Sequence, residues 1–364
     1  MAESPMWAYA AALAALPLQT HGRLRRVLSL GVPDEMWERI MNSSVSVPGI
    51  SDDVLSAWRS TRRDAVGHME DVCRTKNIWV SVRGDTAYPQ PLVSDPHAPA
   101  VLFALGSLQH FAHRRVGIIG TRLATQSGRH FARTLGEQLS NEHVSVVSGL
   151  ARGIDVEAHV GSVRSEGGAP PIAVVAGGPD VVYPPEHSNM WHNVAERGVV
   201  LSESPPGSTP EPYKFPLRNR ILAALSEVLV VVESRSTGGS MTTVREAMKR
   251  DITVMAVPGS PHVKPSEGTN DLLRDGCAPV TCVDDVLVML GLDTRRVGGS
   301  QIGRLPPSAR ELRILDLMEN RPLTLDEIAL LSGVPIVDVA VVLGTLEAMG
   351  WVAHSDGWWE ALTR

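Results

Sequence analysis

Apolar residues recur at helical spacing through the first 76 positions: Trp7, Leu13 and Leu16, then Leu24, Val27 and Leu28, then Met36, Trp37 and Ile40. This predicts short helices around a small core, punctuated by proline and glycine at 17–22 and 31–33. From Ile78 onward the pattern changes to short apolar runs separated by amphipathic stretches. Runs at 78–82, 115–119, 144–147, 172–175, 199–201, 228–232 and 253–257 read as strands, and segments at 128–141, 154–166, 187–196, 220–225 and 243–250 as helices. Strands that are apolar throughout are buried on both faces. The pattern therefore predicts an α/β fold, an extended Rossmann-like, doubly wound, mainly parallel sheet with helices on each side. A polar, glycine-bearing stretch at 292–307 reads as a linker. Helical patterns at 309–318, 324–331 and 336–349, followed by a hairpin turning at Asp356-Gly357, predict a winged helix. The expected organisation is thus an N-terminal helical accessory domain (1–77), a sheet domain (78–291), a linker (292–307) and a C-terminal winged-helix domain (308–364).

Composition narrows the function classes. The chain has 364 residues, 43% apolar and 20% charged, enough for two or three cores of ordinary globular type. It has no run of 18 apolar residues, and its N-terminus carries an acid and no base ahead of the apolar run, the reverse of a secretory signal. A cytoplasmic protein with no membrane partner is expected. Three cysteines, Cys73, Cys277 and Cys282, make neither a disulfide framework nor a zinc site, and the twelve histidines are scattered. Neither metal nor cofactor is expected. The net charge is −6, so any polyanion contact must come from a local basic patch. The first 76 residues balance nine bases against nine acids and offer no net attraction to DNA.

Ligands of doubly wound sheets bind at the carboxyl ends of the strands. Several of the loops expected there carry glycines or cations, among them Gly177-Gly178 after the strand at 172–175. The first strand exits through Gly117-Ile-Ile-Gly120-Thr121-Arg122, with Gly128 opening a helix; its glycines leave amide groups able to face an anion. The second exits through Ser148-Gly149-Leu150-Ala151-Arg152-Gly153, leading to Asp155 and His159, four apart on one helix face and read as a structural pair. A later loop rich in proline ends in Lys214-Phe215-Pro216-Leu217-Arg218-Asn219-Arg220. Its prolines would hold Lys214 and Phe215 out from the sheet, where the ring can stack on a base and the cations can meet phosphates. Finally Gly238-Gly239-Ser240-Met241-Thr242 opens another helix without the G-K-[ST] ending of a P-loop. The first turn is not G-x-G-x-x-G, and the second strand ends in Ser148-Gly149 where a ribose-binding acid would stand, which excludes a nicotinamide dehydrogenase.

In this order the segments resemble the DNA-processing protein A family (DprA, also called Smf). They are Gly120 to Arg122, Ser148 to His159, Tyr183-Pro184, Ser202 to Pro206, Phe215 to Arg220, Gly239 to Thr243 and Ala256 to Gly259, with Asp85 to Leu92 and Pro99 to Gly106 as lead-in. The resemblance covers about residues 79–290. It implies a non-enzymatic, usually dimeric binder of single-stranded DNA that protects incoming strands and loads a RecA-type recombinase in natural transformation. It places Arg122, Lys214, Phe215, Arg218 and Arg220 on or beside the family's DNA pocket. The expected single-strand site is therefore Thr121, Arg122, Gly149, Arg152, Lys214, Phe215, Arg218, Asn219, Arg220, Gly239, Ser240 and Thr242. Two departures are Gly238, where the family usually has serine, and the lack of a glycine-rich hairpin just before Arg23.

The alternative is a nucleotide-processing enzyme of the lysine-decarboxylase-like phosphoribohydrolase type, whose pattern is P-G-G-x-G-T-x-x-E. Here Thr237 replaces the proline, Met241 the third glycine and Arg245 the glutamate, with Glu246 one position late. One residue on a helix turns a side chain by about 100°. In the winged helix, residues 334–350 contain no Lys or Arg and 308–364 hold four arginines against nine acids, so this domain is expected to face protein in preference to DNA.

Overall fold

The computed structural model describes residues 4–42, 46–107, 111–292, 307–318, 322–349, 351–355 and 357–361. The chain forms two compact units, Met1–Leu292 and Asp293–Arg364. The expected linker lies, apart from its two end residues, outside the described residues.

Nine strands build the sheet of the first unit: β1 (Trp79–Val82), β2 (Val101–Gly106), β3 (Arg114–Ile119), β4 (Val144–Ser148), β5 (Ile172–Val175), β6 (Val199–Ser202), β7 (Val228–Val231), β8 (Thr253–Ala256) and β9 (Ala278–Pro279). Their order is β1-β2-β6-β5-β4-β3-β7-β8-β9. Pairing is antiparallel at β1/β2 and β2/β6 and parallel from β6 through β9. β4, β5, β6 and β7 are buried at every position, which is what continuous apolar runs require. The chain runs from β3 outward to β6, then returns to the other side of β3 to lay down β7. Strand order therefore reverses between β3 and β7, the usual ligand crevice of such sheets.

β2 and β9 add to the seven expected strands. β2 is a run of six residues that pairs on both sides and carries the antiparallel edge, so the sheet is mixed.

The N-terminal helices α1 (Met6–Ala14), α2 (His21–Leu28), α3 (Pro33–Met41), α4 (Asp52–Arg59) and α5 (Ala65–Thr75) share an apolar cluster with β1 and β2, in which Leu13, Met36 and Trp58 meet Val101 and Phe103. Five of the six buried positions of α1 are alanines, which lets it approach its neighbours closely. The remaining helices are α6 (Gln90–Val93), α7 (Gln126–Asn141), α8 (Ile154–Arg164), α9 (Ser188–Arg197), α10 (Lys214–Leu225), α11 (Ser240–Met248), α12 (Glu267–Arg274) and α13 (Val283–Met289).

The second unit holds α14 (Ala309–Leu317), α15 (Leu325–Ser332), α16 (Ile336–Ala348) and the antiparallel sheet β10-β12-β11, from Leu323–Thr324, Trp358–Ala361 and Val352–Ser355. That is the expected winged helix. Gly333, at φ 65°, makes the left-handed stop between α15 and α16. Among the described residues no single helix is long and apolar enough to cross a membrane.

Candidate nucleic-acid interface

The crevice between β3 and β7 is already filled. Glu233, buried just past β7, accepts the Thr125 backbone N–H at 2.9 Å and its hydroxyl at 2.5 Å, at the N-terminus of α7. The Thr121 N–H donates to the Glu233 carbonyl at 2.7 Å. Of the amides after β3, that of Thr125 thus meets the protein's own carboxylate, while that of Gly128 donates to the Thr125 hydroxyl at 3.0 Å and that of Thr121 to a carbonyl. An incoming phosphate would encounter like charge there.

The open cleft lies one step aside, over the carboxyl ends of β4 and β5. Arg122, Gly149, Arg152, Tyr183, Trp191, Phe215 and Arg218 line it, with residues 175–177. Five expected site residues come together here: Arg122, Gly149, Arg152, Phe215 and Arg218. The Arg122 guanidinium sits 5.0 Å from the centre of the Phe215 ring. The Tyr183 ring lies 5.7 Å from Phe215 at 54°. Such cation–ring and tilted ring pairs are favourable and leave flat apolar faces beside positive charge.

α10 supplies the floor. It begins at Lys214, six residues earlier than the sequence pattern suggested. Pro216 is tolerated because the first-turn amides have no partner within the helix. Phe215, Arg218 and Leu222 then fall at i, i+3 and i+7 on one face: cleft, buried charge and core in succession. Arg218 is only 7% exposed. Its Nη1 donates to the Val174 carbonyl at 2.7 Å, and its Nε has no hydrogen-bond partner. Gly149 makes this possible, since a Cβ there would lie 1.6 Å from Arg218 Nη1. Burial pushes the Asp155 carboxyl up to about 6, while the charge of Arg218 and the backbone of Ala151 draw it back.

The expected Asp155–His159 pair does not form. Neither ring nitrogen of His159 has a hydrogen-bond partner, and burial pushes its pKa down to about 4. Both side chains are buried, but Asp155 is turned toward Arg218.

Seven expected residues do not line the cleft. Lys214 folds back on its own loop, donating to Thr209 O at 2.9 Å and pairing with Glu211 at 3.4 Å, so the prolines do not hold it out. Arg220 is buried and pairs with both oxygens of Glu203, at 2.6 and 2.5 Å. Glu203 also meets His21 of α2; burial opposes its ionisation, but His21 and Arg220 hold its pKa below the usual value. Arg220 therefore ties α10 to the end of β6 and to the N-terminal helices. Asn219 is half-buried outside the cleft lining. Thr121 donates its N–H to the Glu233 carbonyl, and its hydroxyl accepts the Leu123 N–H at 3.2 Å. Gly239, Ser240 and Thr242 open α11 beyond Glu233, with the Ser240 hydroxyl 2.7 Å from that of Ser234 and the Thr242 hydroxyl accepting from Arg245.

Two lining aromatics lay outside the expected site. Tyr183 was legible only as part of a strand-exit motif. Trp191, on α9, donates to Pro179 O at 3.0 Å and closes the back wall; a lone aromatic in an amphipathic helix reads as ordinary core. The loop from β6 to α10 owes its form to hydrogen bonds as well as prolines: the Ser202 and Ser204 hydroxyls donate to Gly177 O and Ala176 O, and Gly207 N to Asp180.

The cleft lining contains three arginines and three aromatic rings, and no carboxylate, imidazole or thiol. Glu246, the acid weighed for the hydrolase alternative, is paired with Lys249 and Arg250 away from it. A doubly wound sheet with a cationic, aromatic cleft at its carboxyl edge defines a Rossmann-type binder of anionic, ring-bearing ligands. Residues 79–291 match the family model described as DNA recombination-mediator protein A, and residues 304–357 match the DprA winged helix domain. The chain belongs to the DNA recombination-mediator protein A family, as its motifs indicated.

It is 38% identical over 274 residues to a putative DNA processing protein DprA of Mycobacterium tuberculosis, covering 73% of this chain and 69% of that one. It is 33% identical over 318 residues to protein Smf of Synechocystis, covering 78% and 79%. The structure of DprA from Streptococcus pneumoniae matches with a TM-score of 0.67 and 28% identity, over 79% of this chain and 98% of that one. DNA processing protein A from Helicobacter pylori, whose structure concerns its single-stranded DNA binding mode, matches at 0.53 with 26% identity over 59% and 96%.

Proposed function

We propose that the cleft binds single-stranded DNA, with a base stacked against the Phe215–Tyr183–Arg122 group and phosphates held by Arg122, Arg152 and Arg218. The observation that carries this reading is the Arg122–Phe215–Tyr183 cluster above the buried Arg218. Stacking contributes about 1–3 kcal/mol per base and tolerates any sequence, and a duplex has no unstacked base to offer. Arg152 is paired at the rim with Glu186, an exposed contact that a phosphate can replace. The cleft supplies binding and orientation with no general base among its lining side chains, and the chain acts as a mediator without turnover. Release of free base from AMP by the purified protein would overturn that part.

The same reading includes handing the bound strand to a RecA-type recombinase and acting as a homodimer through the sheet-bearing unit, both supported by family membership. Filament assembly on coated strands tests the first and sedimentation the second. We assign the winged helix to protein contact. Leu330 is 83% exposed and Val337 70%, with Leu331 and Val341 beside them, and α16 carries no cation. The deciding experiment for the cleft is competition of single-stranded against duplex DNA at two salt concentrations. Single strands should win at both, and equal competition by duplex would sink the assignment.

A further inference from the structure

The nine bases of the N-terminal segment balance its acids, yet the fold does not spread them evenly. α2 buries Leu24 and Val27 and turns its other face outward, so that Arg23, Arg25 and Arg26 line one open depression with Thr20, Ser29 and Gly49. Each guanidinium is steadied by a backbone carbonyl and, among the described residues, none by a carboxylate: Arg23 on Leu18 O, Arg25 on Pro96 O at 2.7 Å and Arg26 on Pro48 O at 2.6 Å. A guanidinium has five N–H donors, so most of each fork stays available. Gly49, at φ +73°, accommodates this placement, since a Cβ there would lie 1.8 Å from Arg26 Nη1. Arg25 and Arg26 also suit the negative end of the helix, but Arg23 in its first turn does not, and it faces the same depression.

The position of α2 matters as much as its charge. His21 meets Glu203, the residue directly after β6, and Glu203 holds Arg220 of α10. β6 neighbours β5, whose exit loop lines the DNA cleft. The arginine surface is therefore fixed at the carboxyl edge, one strand beyond the cleft. We propose that α2 is a second phosphate-contacting surface, onto which a single DNA strand held in the cleft continues. This rests on the cleft reading above.

The test uses full-length protein, oligothymidylates of roughly 6 and roughly 30 nucleotides, and a salt series. Arg25→Gln with Arg26→Gln should leave the short strand unaffected. For the long strand it should lower affinity about tenfold and flatten the log–log salt slope by about 1.4, two phosphate contacts at about 0.7 each. Arg25→Lys with Arg26→Lys keeps the charge and should retain most of the slope. Arg122→Ala should weaken both lengths. Unchanged long-strand binding in the glutamine variant would overturn the proposal and leave an acidic protein surface as the occupant. Equal losses for both lengths, tracking a lowered melting temperature, would overturn it in favour of a purely structural tether. If the parent protein binds neither strand, the cleft reading fails first and this one with it.

Discussion

Two buried residues with opposite protonation preferences make the centre of the first unit respond to pH. His159 is held neutral, with its pKa pushed down to about 4. Its contribution to stability is fully present above the unfolded value near 6.5 and is lost as pH falls toward 4. Asp155 runs the other way: pushed up to about 6, it contributes fully below about 3.9 and loses that contribution as pH rises through 6. The stability advantage of the parent over His159→Leu should therefore grow by about 3 kcal/mol between pH 4 and 6.5, read from urea denaturation at each pH. A constant difference would mean the ring is not buried neutral. Gly149→Ala should cost about 2 kcal/mol or more, because the new methyl displaces Arg218, and should weaken oligothymidylate binding as well. The nearness of Arg122, Gly149 and Arg152 was legible in the sequence because each stands just past a strand end, whereas Phe215 and Arg218 stood out only as part of a basic run and reach the same cleft on α10. Lys214 and Arg220, expected beside them, fall outside the cleft lining because each is paired with a carboxylate. Glu211 stands three residues away from the one, but Glu203, which also meets His21, reaches the other only through the fold.

α10 does two jobs on two faces. Phe215 and Arg218 look into the cleft, while Arg220 locks the helix to Glu203. Arg220→Ala should cost about 3 kcal/mol, since it leaves a carboxylate with few partners in a mostly buried place. The folded protein should nevertheless hold a short oligothymidylate within a few-fold of the parent. Arg122→Ala should do the reverse, lowering affinity about tenfold or more with little change in melting temperature. The two variants, compared by denaturation and anisotropy, separate holding the helix from holding DNA; a matched effect in both assays would merge the roles. The helix start was misjudged because Pro216 and the proline-rich lead-in read as loop, although proline is compatible with a first helical turn. β2 was missed for a different reason: its five apolar residues and closing glycine follow a proline-bearing stretch, and only pairing with both β1 and β6 makes them a strand.

The chain as a unit is acidic, with a net charge of −6, and the three arginines of the cleft are a local exception. Long-range attraction to DNA is therefore weak and affinity comes from close contacts. For a short strand confined to the cleft, three arginines predict a log–log salt slope of about −2, at roughly −0.7 per phosphate. A slope near zero would show that stacking alone holds the strand. The order of strands and helices was readable from apolar periodicity, because parallel strands buried on both faces leave continuous runs. Which of several polar strand exits forms the cleft was not readable, because Glu233 closes one of them from 108 residues away in sequence.

Glu233 has one further consequence. In sheets of this kind a diffusible nucleotide often completes the joint between the two halves, so that structure at the joint depends on how much of that nucleotide is present. Here the completing group is an internal ligand, attached to the chain and present at unit occupancy from the moment of folding. The alignment of β3 with β7, and of the cleft beside them, is then independent of the concentration of any small metabolite. DNA binding should accordingly be indifferent to added mononucleotides at concentrations that do not change ionic strength.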